Sequence, residues 1–88
     1  MFTITAGKGF GVKFANGYGL SVQWGSWNYC DNRGENYDDN VLGEAGCPNA
    51  EIAVILPNGK LDHDSIQGWL TPEQVLAKMV EVSGRIPT

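Results

Sequence analysis

The turn Phe14-Ala15-Asn16-Gly17-Tyr18 constrains the fold of this chain more than any other stretch. Before it, apolar residues alternate as Phe10, Val12 and Phe14; after it, as Tyr18, Leu20, Val22 and Trp24. Period two over runs this short reads as two antiparallel strands joined by a hairpin. A two-residue Asn16-Gly17 turn would set Ala15 opposite Tyr18 and send the two apolar sets to opposite faces. A three-residue loop with Gly17 in the left-handed region instead sets Phe14 opposite Tyr18, Val12 opposite Leu20 and Phe10 opposite Val22. All six then share one face. A one-residue slip reverses every side chain, so burial selects this second register. The expectation is a type I turn with a glycine bulge at Gly17.

Phe2 and Ile4 begin a further alternation, which places strands at about 2–6, 9–15 and 18–25. Pro57-Asn58-Gly59 repeats the turn device and links the run 51–56 to a short strand near 60–62. Ile52 to Leu56 is apolar at every position, the pattern of a central strand covered on both sides. Thr71-Pro72-Glu73-Gln74 is a helix start: Thr71 caps, Pro72 takes the first helical position and Gln74 reaches back. Val75, Leu76, Met79, Val80 and Ser83 make one stripe at helical spacing, and Gly84 stops the helix. The fold class is α+β: a small antiparallel sheet of about four or five strands, hairpins at 15–17 and 57–59, and one C-terminal helix at about 72–83 packed on one face. The 88 residues make a single domain.

Composition narrows the function. Hydrophobic residues make up 42% and charged residues 18%, which excludes a disordered chain. The net charge is −4, and the six basic residues (Lys8, Lys13, Arg33, Lys60, Lys78, Arg85) are scattered. Nucleic-acid binding runs on clustered cations, so no general nucleic-acid binding is expected. The longest apolar run, Ile52 to Leu56, is far short of a membrane span, and the N-terminus lacks signal-peptide features. No membrane association is expected. In a reducing cytoplasm Cys30 and Cys47 are expected to be structural thiols, with a disulfide closing the loop between them as the alternative.

Few constellations carry chemistry. Gly7, Gly9 and Gly11 lead into a strand and not a helix, so they serve close packing and not a phosphate. Asp62-His63-Asp64-Ser65 has the residue types of a hydrolytic triad, but neighbours in an extended segment face opposite ways. Cys30, Cys47 and His63 lack the close cysteine pairs of a zinc site. The acidic spacing does not match a calcium loop. The chain is therefore read as not an enzyme, with no metal and no cofactor. What remains is a long acidic loop at about 25–49, holding Asp31, Glu35, Asp38, Asp39 and Glu44, half of the ten acids. Asn28, Asn32, Asn36 and Asn40 recur at every fourth residue, but Gly34 and the missing apolar stripe argue against a helix. Loops of this length tend to be functional. Trp24 continues the inward alternation, whereas Trp27 and Tyr29 lie beyond the strand with Arg33 close behind. Such a set can stack a base or form a protein hot spot. The candidate binding residues are Trp27, Tyr29, Arg33, Asp38 and Asp39.

The block GFGVKFANGYGLSVQWGSWNYC, residues 9–30, resembles a family of short proteins of tailed phages and prophages. The later apolar strand, the Pro-Asn-Gly turn and the Thr-Pro-Glu-Gln-Val helix start resemble that family as well. The resemblance implies an accessory protein acting in the cytoplasm of an infected bacterium, and it carries over no catalytic residue. Small acidic proteins of this kind act stoichiometrically, which gives three expectations. The first is sequestration of a nucleotide second messenger against host immunity, in the manner of anti-CBASS and anti-Thoeris sponges. It needs an aromatic and arginine pocket, for which a homo-oligomer interface is suited. The second is steric inhibition of a host immune protein through the acidic loop, as an anti-CRISPR does. The third is a virion or packaging component.

Overall fold

The computed structural model describes residues 1–5, 8–34 and 46–86. The sheet contains β1 (Phe2–Thr5), β2 (Gly9–Lys13), β3 (Gly19–Gln23), β4 (Ala50–Ile55) and β5 (Gln67–Leu70), and helix α1 (Pro72–Ser83) follows. The five strands are antiparallel and lie in chain order, so each pairs with its sequence neighbour.

The first hairpin has the register that burial demanded. Phe10 pairs with Val22 and Val12 with Leu20. The Phe14 N–H donates to the Tyr18 carbonyl at 2.8 Å, and the Gly17 N–H donates to the Phe14 carbonyl at 3.0 Å. Gly17 sits at φ +92, where a side chain would be strained. The apolar face so formed supplies the core: Val12, Leu20 and Val22 meet Ala50, Ile52 and Val54 of β4 and Val82 of α1. Leu20, Ile52, Val54 and Val82 are fully buried, each worth ~1.5–3 kcal/mol of transfer free energy. On the other face of β4, Ala53 is buried too.

The helix starts as its sequence dictates. The Gln74 N–H donates to Thr71 Oγ1 at 3.2 Å, and the Thr71 N–H donates to Gln74 Oε1 at 2.8 Å, a complete capping box. Its far end is capped across the fold. Asn16 Nδ2, in the first hairpin turn, donates to the carbonyls of Val82 (2.9 Å) and Arg85 (2.9 Å). Orphan carbonyls at a helix end need donors, and here a turn sixty-six residues away supplies them.

Three expectations are corrected. The short strand near 60–62 is a single bridge between Leu61 and Ile55, and the fifth strand is Gln67–Leu70. Gly68 and the bulge described below hide its alternation. The helix stripe is rotated: Val75, Met79 and Val82 face the core, while Leu76 and Val80 are 61% and 63% exposed. Among the described residues helix α1 packs chiefly on β3, β4 and β5, which leaves its flank toward β1 and β2 exposed. Finally, His63–Ser65 is one turn of 3₁₀ helix and not extended. Asp62 caps it, and Ser65 Oγ accepts from the Val54 N–H at 2.7 Å. His63 is exposed on that turn.

Candidate functional site

The described part of the segment after β3, residues 24–34, is a cluster of turns held by buried asparagines. Asn28 is 7% exposed. Its Oδ1 accepts from the Gly25 N–H (2.8 Å), and its Nδ2 donates to Gln23 Oε1 (3.0 Å) and Glu51 Oε1 (3.3 Å). Asn32, 6% exposed, donates from Nδ2 to the carbonyls of Trp24 (2.8 Å) and Gly46 (3.1 Å). The second bond ties the outgoing chain to the returning one. Buried amides need such partners, and these two asparagines do for residues 24–34 what ladder bonds do for a strand.

Glu51, on β4, fixes the next residue. Its Oε2 accepts from the Tyr29 N–H at 2.9 Å. Tyr29 is thereby held against β5, where Gly68 makes room: a Cβ there would overlap the Tyr29 Cβ and backbone. At this point the sheet is irregular. Ala50 pairs with Leu70 and Ile52 with Gln67, so β5 carries one residue too many. A β-bulge of this kind bends the strand and re-aims a side chain. Trp69 takes up the distortion at φ +54, rare for a bulky residue and costly by ~1–3 kcal/mol. Its N–H donates to the Tyr29 carbonyl at 2.8 Å.

The outcome is an exposed stack. The Trp69 and Tyr29 rings lie 5.8 Å apart at 39°. The Arg33 guanidinium sits 4.4 Å over the Tyr29 ring, and its Nη1 donates to the Trp27 carbonyl at 3.0 Å. The Trp27 indole is 80% exposed, Trp69 51% and Tyr29 44%. A guanidinium placed over an aromatic face is held in orientation without losing its charge. The patch therefore offers the exposed Trp69 and Tyr29 rings next to a held guanidinium, with Trp27 joined through its carbonyl, the chemistry that takes a planar ring and an adjacent anion.

The sequence-derived residues divide accordingly. Trp27, Tyr29 and Arg33 meet in one patch, with Trp27 joined through its carbonyl. Asp38 and Asp39 lie outside the described residues. Trp24 belongs to the core side, edge-on to Phe10 at 6.3 Å. Trp69 was missed. Its sequence signal was present as a lone large aromatic after Gly68, just before the helix cap, but the bulge that turns it outward is not written in any local pattern.

A cleft of about 370 Å³ opens on the helix side, lined by Phe10, Trp24, Cys47, Leu70 and Val75 among others, with no charged side chain among the described residues of its lining. It suits an apolar group and not a phosphate. Cys30 is buried, and burial pushes its thiol up to about 11; Cys30 and Cys47 are both free thiols. Among the described residues no group of three or more His, Cys, Asp or Glu side chains could hold a metal ion, and no helix is long and apolar enough to cross a membrane. Compared with protein-family models, with curated proteins and with solved structures, the chain matches none of them.

Proposed function

We propose that this is a phage-encoded binding protein of the infected bacterial cytoplasm that counters host immunity stoichiometrically, without turnover, by sequestering a nucleotide second messenger. The observation that carries the reading is the Arg33–Tyr29–Trp69 stack with Trp27 beside it. A base stacks on an exposed indole for ~1–3 kcal/mol, and a guanidinium gives a phosphate directed hydrogen bonds that a lysine cannot. The strain accepted at Trp69 supports a binding role, because such distortions gather at ligand sites.

Incubation with a panel of cyclic and linear nucleotides, read by thermal shift, tests this. A ligand at about 100 times its dissociation constant adds ~2.7 kcal/mol. That shift should vanish in Arg33→Ala and in Trp69→Gly. A panel that leaves the melting temperature unchanged removes the nucleotide reading.

One observation favours a second reading, steric inhibition of a host immune protein. The patch is open, its one cation is set in a chain of net charge −4, and Trp, Tyr and Arg are the usual hot-spot residues. A basic partner surface would then meet Asp38 and Asp39 as well. Charge reversal at those two positions would weaken inhibition more than Arg33→Ala does, the opposite of the order expected for a nucleotide.

A further inference from the structure

The helix face of the sheet is only partly covered. Helix α1 lies over β3, β4 and β5. Phe2 and Ile4 of β1 are in register with Val12 and Phe10, on the core face, yet they are 74% and 91% exposed. The helix flank bearing Lys78 and Glu81 turns toward Gln67 and Leu70 of β5. At 100° per residue, Leu76 and Val80 project from the opposite flank, toward β1 and β2. The result is a trough with an apolar floor of Phe2, Ile4 and Phe10 and an apolar wall of Leu76 and Val80.

The dimensions say what fits there. Two strands at ~4.8 Å spacing leave a strip about 10 Å wide, the diameter of one helix with its side chains. Phe2, Ile4, Leu76 and Val80, each at least 61% exposed, present on the order of 500 Å² between them, the larger part of the ~800 Å² that each partner contributes to a standard interface. The trough holds both halves of a self-complementary contact, an apolar helix ridge and the floor that a ridge would cover. A two-fold axis brings each ridge onto the other floor. β1 itself, Phe-Thr-Ile-Thr, carries none of the charges or prolines that normally guard an edge strand.

We infer that a second copy of this chain occupies the trough. Its helix α1 lies over β1 and β2, so that Leu76 and Val80 of both copies pack together above Phe2, Ile4 and Phe10. The dimer is isologous. It leaves Trp27, Tyr29, Arg33 and Trp69, at the opposite edge of the sheet, free in both copies, so each dimer presents two patches.

Sedimentation equilibrium of the whole chain at micromolar concentration tests the inference. The expected mass is twice the 9.5 kDa of one chain. Leu76→Glu and Ile4→Glu should each give a monomer, with Trp27→Glu as the control that stays dimeric. Should Ile4→Glu fail to fold by circular dichroism, Val80→Lys on the exposed helix flank takes its place. A monomeric wild-type chain overturns the inference. So does a dimer that survives Leu76→Glu and Val80→Lys, or one that Trp27→Glu dissociates, which would place the second copy on the aromatic patch.

Discussion

The first hairpin and the β4–β5 end of the sheet are both antiparallel pairs, yet they are built on opposite terms. In the hairpin every residue follows the local rule: alternation is unbroken, the turn has its glycine, and Phe10, Val12, Leu20 and Val22 pair face to face. At β4–β5 the rule is broken by one residue. Trp69 occupies a backbone region suited to glycine, and its N–H goes to a loop carbonyl. The hairpin makes the core, and the irregular end makes the patch. Regular pairing buries one face and exposes the other, so it cannot turn an indole of the same strand away from its alternation; a bulge can.

Perturbations of the two regions should therefore differ in kind. The largest effect is expected at the hinge between them. Asn28→Ala leaves the Gly25 N–H without its acceptor and removes one of the two donors to Glu51, whose Oε2 keeps the Tyr29 N–H, and should cost ~2–3 kcal/mol with loss of the proposed nucleotide binding. Urea denaturation measures it, and an unchanged midpoint would show that the turn cluster does not depend on its buried amides. In the hairpin, Gly17→Ala has room for its Cβ, 3.5 Å from Pro57 Cβ, so its cost is backbone strain, ~1–2 kcal/mol, with binding retained. Loss of binding there would mean that the two regions are coupled.

Trp69→Gly inverts that pattern. Relief of the left-handed strain offsets the lost ring contact, so the melting temperature should move by no more than a few degrees, equivalent to ~1 kcal/mol, while ligand binding is lost. Unaltered binding would remove Trp69 from the patch.

The smallest effect lies outside both regions. Arg85 donates to both oxygens of Glu81, and that hydrogen-bonded partner draws the Glu81 carboxyl down from 4.5 to about 2. A carboxyl lowered by folding stabilises fully above its ordinary range, and that contribution is lost as pH falls through about 2. The pair is solvent-exposed, so Glu81→Gln should cost only ~0.3–0.5 kcal/mol at neutral pH. Wild type and variant should converge in acid, as melts from pH 7 down to pH 2 would show.

Local chemistry was sufficient to read the hairpin register from Gly17, the capping box from Thr71 and Gln74, and the aromatic identity of Trp27 and Tyr29 with Arg33 four residues on. Each depends on neighbours in the chain, where steric limits on φ, period-two alternation and side-chain reach act within a few residues. What the sequence left open were contacts between segments far apart. Leu76 and Val80 have the spacing of a buried stripe, but the face that α1 sets on β3–β5 carries Val75, Met79 and Val82 instead. Asn16 reads as a turn residue, yet it caps a helix end at Val82. Trp69 becomes part of the patch because Glu51 pins Tyr29 beside β5 and Gly68 lets the two backbones touch. One-dimensional patterns report which residues are apolar and how often they recur. Which of them is covered depends on where a second element comes to rest, and only the packing of the folded chain sets that.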